Sequence, residues 1–154
     1  MAVSKPNERL RELGITLPKV AAPAGAYLPA RRSGSLVFTA GQLPLVEGKL
    51  VATGKVGTEV GVEDAYGHAR ICVLNALAAV DALVGLDSVV GIVKVVGFVA
   101  SAPGFSGQPA VINGASELLG EVFGEAGLHA RSAVGVAELP LNAPVEVEIV
   151  VEVS

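Results

Sequence analysis

The sequence has no tryptophan, one cysteine (Cys72) and two histidines (His68 and His129). A lone cysteine excludes an intrachain disulfide. With only two histidines beside it, a four-ligand structural zinc site of the usual kind is excluded too. A reducing cytoplasm is the compartment this cysteine usage suggests. Charge is sparse: charged residues make up 17% of the 154 positions, the net charge is −4 and the pI is near 5.1. That balance argues against non-specific nucleic-acid binding, which rests on neutralising phosphates. Uninterrupted apolar runs are short. "ICVLNALAAVDALVGL" contains Asn75 and Asp81, and "VVGIVKVVGFVA" contains Lys94. A membrane-spanning helix needs roughly 20 mostly apolar residues, so no membrane association is expected. The opening "MAVSKPNERLREL" lacks the apolar stretch of a signal peptide. The glycines of "FGEAG" and "GKVG" follow no phosphate-loop spacing.

What is abundant is apolar surface. Hydrophobic residues make up 51% of the chain and mean hydropathy is +0.60. A chain of this size has much surface to cover and ordinarily carries more charge. Burial against copies of itself is the expected remedy. The length suits one domain, residues 1–154, with residues 1–18 as an N-terminal helical extension.

Local patterns give an element order. "NERLREL" predicts a short helix capped by Asn7 and stopped by Gly14, with Leu10 and Leu13 on one face. "TLPKVAAPAGAYLPARRSG" reads as irregular coil, and "SLVFTAGQLPL" with "EGKLVATGKVG" as a hairpin. The segment from Gly61 to Gly85 predicts a helix with Ile71, Leu74, Leu77 and Val84 at helical spacing. "DSVVGIVKVVGFVA" predicts a strand buried on both faces, and "VINGASELLGEVFGEAG" a second main helix. The end of the chain reads as a closing hairpin. The class is α+β: one sheet with two main helices packed on one face.

The closing segment is unusual. In a strand, residues two apart share a face. Arg131 therefore shares its face with Ala133, Gly135 and Ala137, all very small. Two readings stand: the small residues make room for a packed helix, or they form a floor on which a ligand approaches the backbone beside a cation. In the last strand Val145, Val147, Ile149, Val151 and Val153 alternate with Glu146, Glu148, Val150 and Glu152. A solvated face explains three glutamates, but Val150 among them points to a covered surface. His68 and Cys72, four apart on a helix, read as packing. His129 and the pair Arg31 and Arg32 read as surface or cleft-edge residues.

"ARSAVGVAELPLNAPVEVEIVVEV", "TAGQLP" and "AGAYLPA" occur here in an order that resembles the YjgF family, also called the Rid or reactive-intermediate imine deaminase family, over roughly residues 19–153. The resemblance implies a chorismate-mutase-like fold, a homotrimer and ligand clefts between subunits, with no cofactor and no metal. It implies an imine deaminase, a hydrolase converting small 2-imino or enamine acids to 2-keto acids. By the same resemblance Arg131 anchors a substrate carboxylate, Tyr27 and Asn113 line the cleft, backbone groups at Gly41 contact ligand, and Glu146 attends the reactive water. The partner is thus a small carboxylated metabolite. Ala133 stands where the best-known members carry cysteine, and Ala40 where they often carry serine or threonine. These departures place the chain in a divergent branch and keep a non-catalytic binding module open as the alternative. Endoribonuclease or translation-inhibitor activity, attached to some relatives, is disfavoured by the acidic pI.

Overall fold

The computed structural model describes residues 4–23 and 25–154; residues 1–3 of the expected extension and Ala24 of "AGAYLPA" lie outside the described residues. Helix α1 spans Pro6–Glu12. Strands β1 (Ala30–Ser33) and β2 (Leu36–Thr39) follow, then the short pair β3 (Leu45–Val46) and β4 (Lys49–Leu50). Helix α2 runs from Val62 to Val84, β5 from Val89 to Ala100, α3 from Gln108 to Phe123, β6 from Ala130 to Val136 and β7 from Val145 to Val153. The main sheet has five strands in the order β1-β2-β7-β5-β6, and β3 with β4 forms a separate two-stranded ribbon. Helices α2 and α3 pack together on one face of the sheet. The α+β class and the helix-on-one-face layering are those expected from the sequence.

Several expectations are corrected. Asn7 is not the cap of α1. Lys5 occupies that position without a side-chain bond, and Pro6 begins the helix. The amide of Asn7 instead donates to Asp87 Oδ1 at 3.0 Å, so a carboxylate distant in sequence satisfies the free amide. Arg9 Nε donates to the carbonyl of Glu121 at 2.9 Å, docking α1 on the end of α3. Gly14, with φ of 71°, ends the turn as expected, and the Ile15 amide returns to the Leu10 carbonyl at 2.9 Å.

The segment "ARRS", read as coil, is β1. It pairs with β2, placing Arg31 opposite Phe38. The expected hairpin between the second and third patterned segments is therefore replaced by a β1–β2 hairpin and the small β3–β4 ribbon. In α2 the wholly buried seam is mostly small: Ala65, Ala69, Cys72, Val73, Ala76, Leu77 and Val80. Ile71 and Leu74 are only half-buried. Small side chains let a helix approach the sheet closely. By length and composition α2 is apolar enough to cross a membrane, and half of its most apolar window is buried in this fold. Asn75, inside it, donates to the carbonyls of Leu43 and Leu45 at 3.1 and 3.0 Å.

Strand β5 is fully buried on one face only. Val95, Val99 and Ile92 lie under the helices, whereas Val96 and Phe98 on the other face are half-buried. The closing hairpin does not exist. β6 lies parallel to β5 at the sheet edge, and β7 is antiparallel to β5 on its other side. The chain leaves β5, crosses through α3, returns as β6, and then passes β5 to enter between β5 and β2.

Candidate functional site

The β5–β6 register fixes where Arg131 points. Arg131 lies opposite Val95, Ala133 opposite Gly97 and Gly135 opposite Val99. Val95 and Val99 are buried under the helices. A side chain on Gly97 would collide with Ile112, and one on Gly135 would approach Gln108 Nε2 at 2.6 Å, both residues of α3. The small-residue face is therefore the helix face. It makes room for α3, as the first of the two readings supposed, and it also turns Arg131 towards that helix.

There Arg131 Nη1 donates to Asn113 Oδ1 at 2.8 Å and to Ser116 Oγ at 3.2 Å. Asn113 and Ser116 are three residues apart on α3 and share one of its faces. Ser116 Oγ lies 2.9 Å from His129 Nε2, and His129 Nδ1 lies 2.6 Å from the carbonyl of Gly127. Arginine has no acceptor, so Asn113 must present its oxygen to it and turn its Nδ2 hydrogens elsewhere. Among the described residues no carboxylate forms an ion pair with Arg131; the three ion pairs are Arg9–Glu12, Lys55–Glu138 and Arg70–Glu121. The charge is oriented by neutral groups and left uncompensated by any of them, as suits a site that receives an anion.

Glu146 occupies the opposite face. It lies across from Phe98 on β5, three positions from the residue opposite Arg131, with no break in register between them. Its environment is set by Gly41. Between the Phe38–Val150 pair and the Gln42–Val147 bridge the β2 side takes four steps against three on β7, a bulge of one residue. Thr39 Oγ1 accepts the Ile149 amide at 3.0 Å within it. The carboxyl of Glu146 fills the space that a Gly41 side chain would need, so that a Cβ there would collide with it. Burial, and then the nearby Glu148 charge, raises the Glu146 pKa above its ordinary value of 4.5. Glu146 and Glu148 are half-buried while Glu152 is exposed, so these glutamates are not one uniform solvated face. Tyr27, 51% exposed, sits in the coil before β1. Two residues on, the Pro29 carbonyl accepts the Ala40 amide at 2.8 Å, which brings that coil beside Gly41.

The expected residues thus form two groups. Arg131 and Asn113 meet on the helix face at the β6 edge. Glu146 and Gly41 meet on the open face, with the Tyr27 coil adjoining. One chain does not bring the groups together. Ser116 was not singled out from the sequence, although its spacing from Asn113 and the nearness of His129 to Arg131 were there to be read. His68 is half-buried, and burial lowers its pKa; Cys72 is wholly buried, and burial pushes its thiol up. Among the described residues no cluster of three or more histidine, cysteine or acidic side chains is placed to hold a metal.

Residues 7–153 match the family model described as "YjgF/chorismate mutase-like, putative endoribonuclease". The matched span takes in most of α1 as well as the sheet and both main helices. Among solved structures the chain resembles Atu1372 from Agrobacterium tumefaciens, a protein of unknown function, at 46% identity over 97% of this chain and 92% of that one, with a TM-score of 0.89. It resembles a "putative endoribonuclease" from Shewanella oneidensis MR-1 at 35% identity over 97% and 100% of the two chains, with a TM-score of 0.93. TdcF from E. coli, solved with bound serine, is 25% identical over 90% and 94%, with a TM-score of 0.64.

Proposed function

The chain belongs to the YjgF/chorismate mutase-like family, and on that premise we propose that it is a cofactor-free hydrolase of the Rid type acting in the cytoplasm. It deaminates small 2-imino or enamine acids in clefts completed between subunits of a homotrimer. The observation that carries this reading is the uncompensated guanidinium of Arg131, held by Asn113 and Ser116 at a sheet edge. Serine bound to TdcF, a small carboxylated molecule, agrees with an anion at such a site.

In this mechanism Arg131 holds the carboxylate and fixes the C=N carbon against water. Glu146, whose raised pKa makes it a better base than an ordinary carboxylate, takes a proton as the water oxygen bonds to that carbon. The C=N π electrons move onto nitrogen. Glu146 passes that proton to nitrogen. It then takes the remaining hydroxyl proton as the oxygen lone pair forms C=O and the C–N bond breaks, and delivers it to the departing nitrogen, so that ammonia and a 2-keto acid leave. Imines hydrolyse unaided, so positioning and charge stabilisation suffice. Ala133, where many relatives carry a cysteine, removes no group this scheme uses.

The test couples an amino-acid oxidase, as imine source, to keto-acid release. The wild type accelerates release over the buffer rate, and Arg131→Ala loses 2-oxobutyrate binding by about 2–5 kcal/mol. Arg131→Lys restores little, because the planar fork is gone. A wild type that binds 2-oxobutyrate through Arg131 yet never accelerates release is a binding module for a carboxylated metabolite. Unchanged affinity in Arg131→Ala removes the site.

A further inference from the structure

Resting on the reading of Arg131 as a carboxylate anchor, we propose that Ser116 and His129 are positioning residues. They form a one-way hydrogen-bond relay that, together with Asn113, engages Arg131 Nη1 and presents its Nε–Nη2 edge to the ligand.

With a neutral imidazole, the direction of the relay follows from donor and acceptor types. The Gly127 carbonyl can only accept, so His129 Nδ1 carries hydrogen. In the neutral ring Nε2 is then an acceptor, and the Ser116 hydroxyl donates to it. The Ser116 oxygen is left as an acceptor for Arg131 Nη1. Asn113 Oδ1 takes the other Nη1 hydrogen. Nothing on this nitrogen remains for a ligand. The guanidinium keeps Nε–H and one Nη2–H side by side, a fork matched to the two oxygens of a carboxylate. Ser116 and Asn113 come from one turn of α3, and His129 from the bend that leads into β6. The relay therefore ties the arginine to the helix on one side and to its own strand entry on the other. A guanidinium held this way loses little rotational freedom when the ligand arrives.

Nitrogen-15 NMR on the labelled full chain tests the relay. We expect a neutral His129 protonated at Nδ1 and bare at Nε2, and restricted Arg131 Nη1 signals. Added 2-oxobutyrate should shift Arg131 Nε and Nη2 and leave Nη1 in place. Ser116→Ala should release Nη1 and weaken 2-oxobutyrate binding by about tenfold or more. His129→Gln keeps an acceptor for the Ser116 hydroxyl and should bind nearly as the wild type does. His129→Asn keeps only a donor for Gly127 and should resemble Ser116→Ala. Were His129 needed only to shape the Gly127 bend, asparagine would rescue and glutamine would not, and that result overturns the relay. An Nε2-protonated ring, or unaltered affinity in Ser116→Ala alongside loss in Arg131→Ala, overturns it as well while leaving the anchor intact. Unaltered affinity in Arg131→Ala overturns anchor and relay together.

Discussion

Glu146 and Glu152 lie on one strand face and differ in surroundings. Glu152 is exposed, while Glu146 is half-buried over Gly41. Glu146→Gln should retain 2-oxobutyrate binding, since Arg131 is untouched, and should slow imine hydrolysis by about 10²–10⁴-fold. Glu152→Gln should be neutral. The acid limb of the wild-type pH–rate profile should lie above 4.5 and vanish in Glu146→Gln. Stability carries the same signature. The folded pKa of Glu146 exceeds its unfolded value, so its contribution to stability is complete below about pH 4.5 and is lost as pH rises through the folded value. Urea unfolding of Glu146→Gln should thus show a gain at pH 7, under about 1 kcal/mol because the group is half exposed, and none at pH 4. Glu148 is not an idle control, because its charge helps raise the Glu146 pKa. Family motifs marked Arg131, Glu146 and Gly41 in the sequence. Alternation could not separate Glu146 from Glu152, because the difference comes from a bulge in another strand.

At the level of elements, patterning located both main helices and the strands β5, β6 and β7, and misjudged how the strands pair. The segment after β6 contains proline, asparagine and a turn, as hairpin loops do. The partner of β6 is nevertheless β5, reached through α3, and β7 lies a strand further on. Pairing of this kind depends on what covers the sheet, which periodicity does not record. Strand β1 escaped notice because its four residues follow a proline- and alanine-rich coil and only Ala30 is buried. The helix layer permits its own test. A side chain on Gly114 of α3 would collide with the backbone carbonyl of Tyr66 on α2. Gly114→Ala should therefore force α2 and α3 apart and cost about 1–3 kcal/mol by urea denaturation. Gly120→Ala on the same helix meets nothing within 4 Å and should be neutral or stabilising by up to ~1 kcal/mol.

For the molecule as a whole, the apolar excess seen in the composition has a location. The sheet face opposite the helices carries Phe38 and Val134, each 44% exposed, together with half-buried Val96, Phe98 and Val150. Val150 lies between Phe38 and Lys94 across the strands, so the valine among glutamates belongs to an apolar patch. A second copy seated on this face would cover it. The placement of Arg131 and Glu146 on opposite faces of one sheet is the feature that alternation alone did not reveal, since it emerges only from the register of β5 with both neighbours. The most direct test is subunit mixing. Arg131→Ala and Glu146→Gln chains, each inactive alone, are coexpressed with different tags, and the doubly tagged assembly is assayed for keto-acid release. If each cleft takes Arg131 from one chain and Glu146 from the next, every mixed trimer has one cleft of three with both groups intact, so the doubly tagged assembly should show about a third of the wild-type rate. A doubly tagged assembly as inactive as either parent would contradict the shared site.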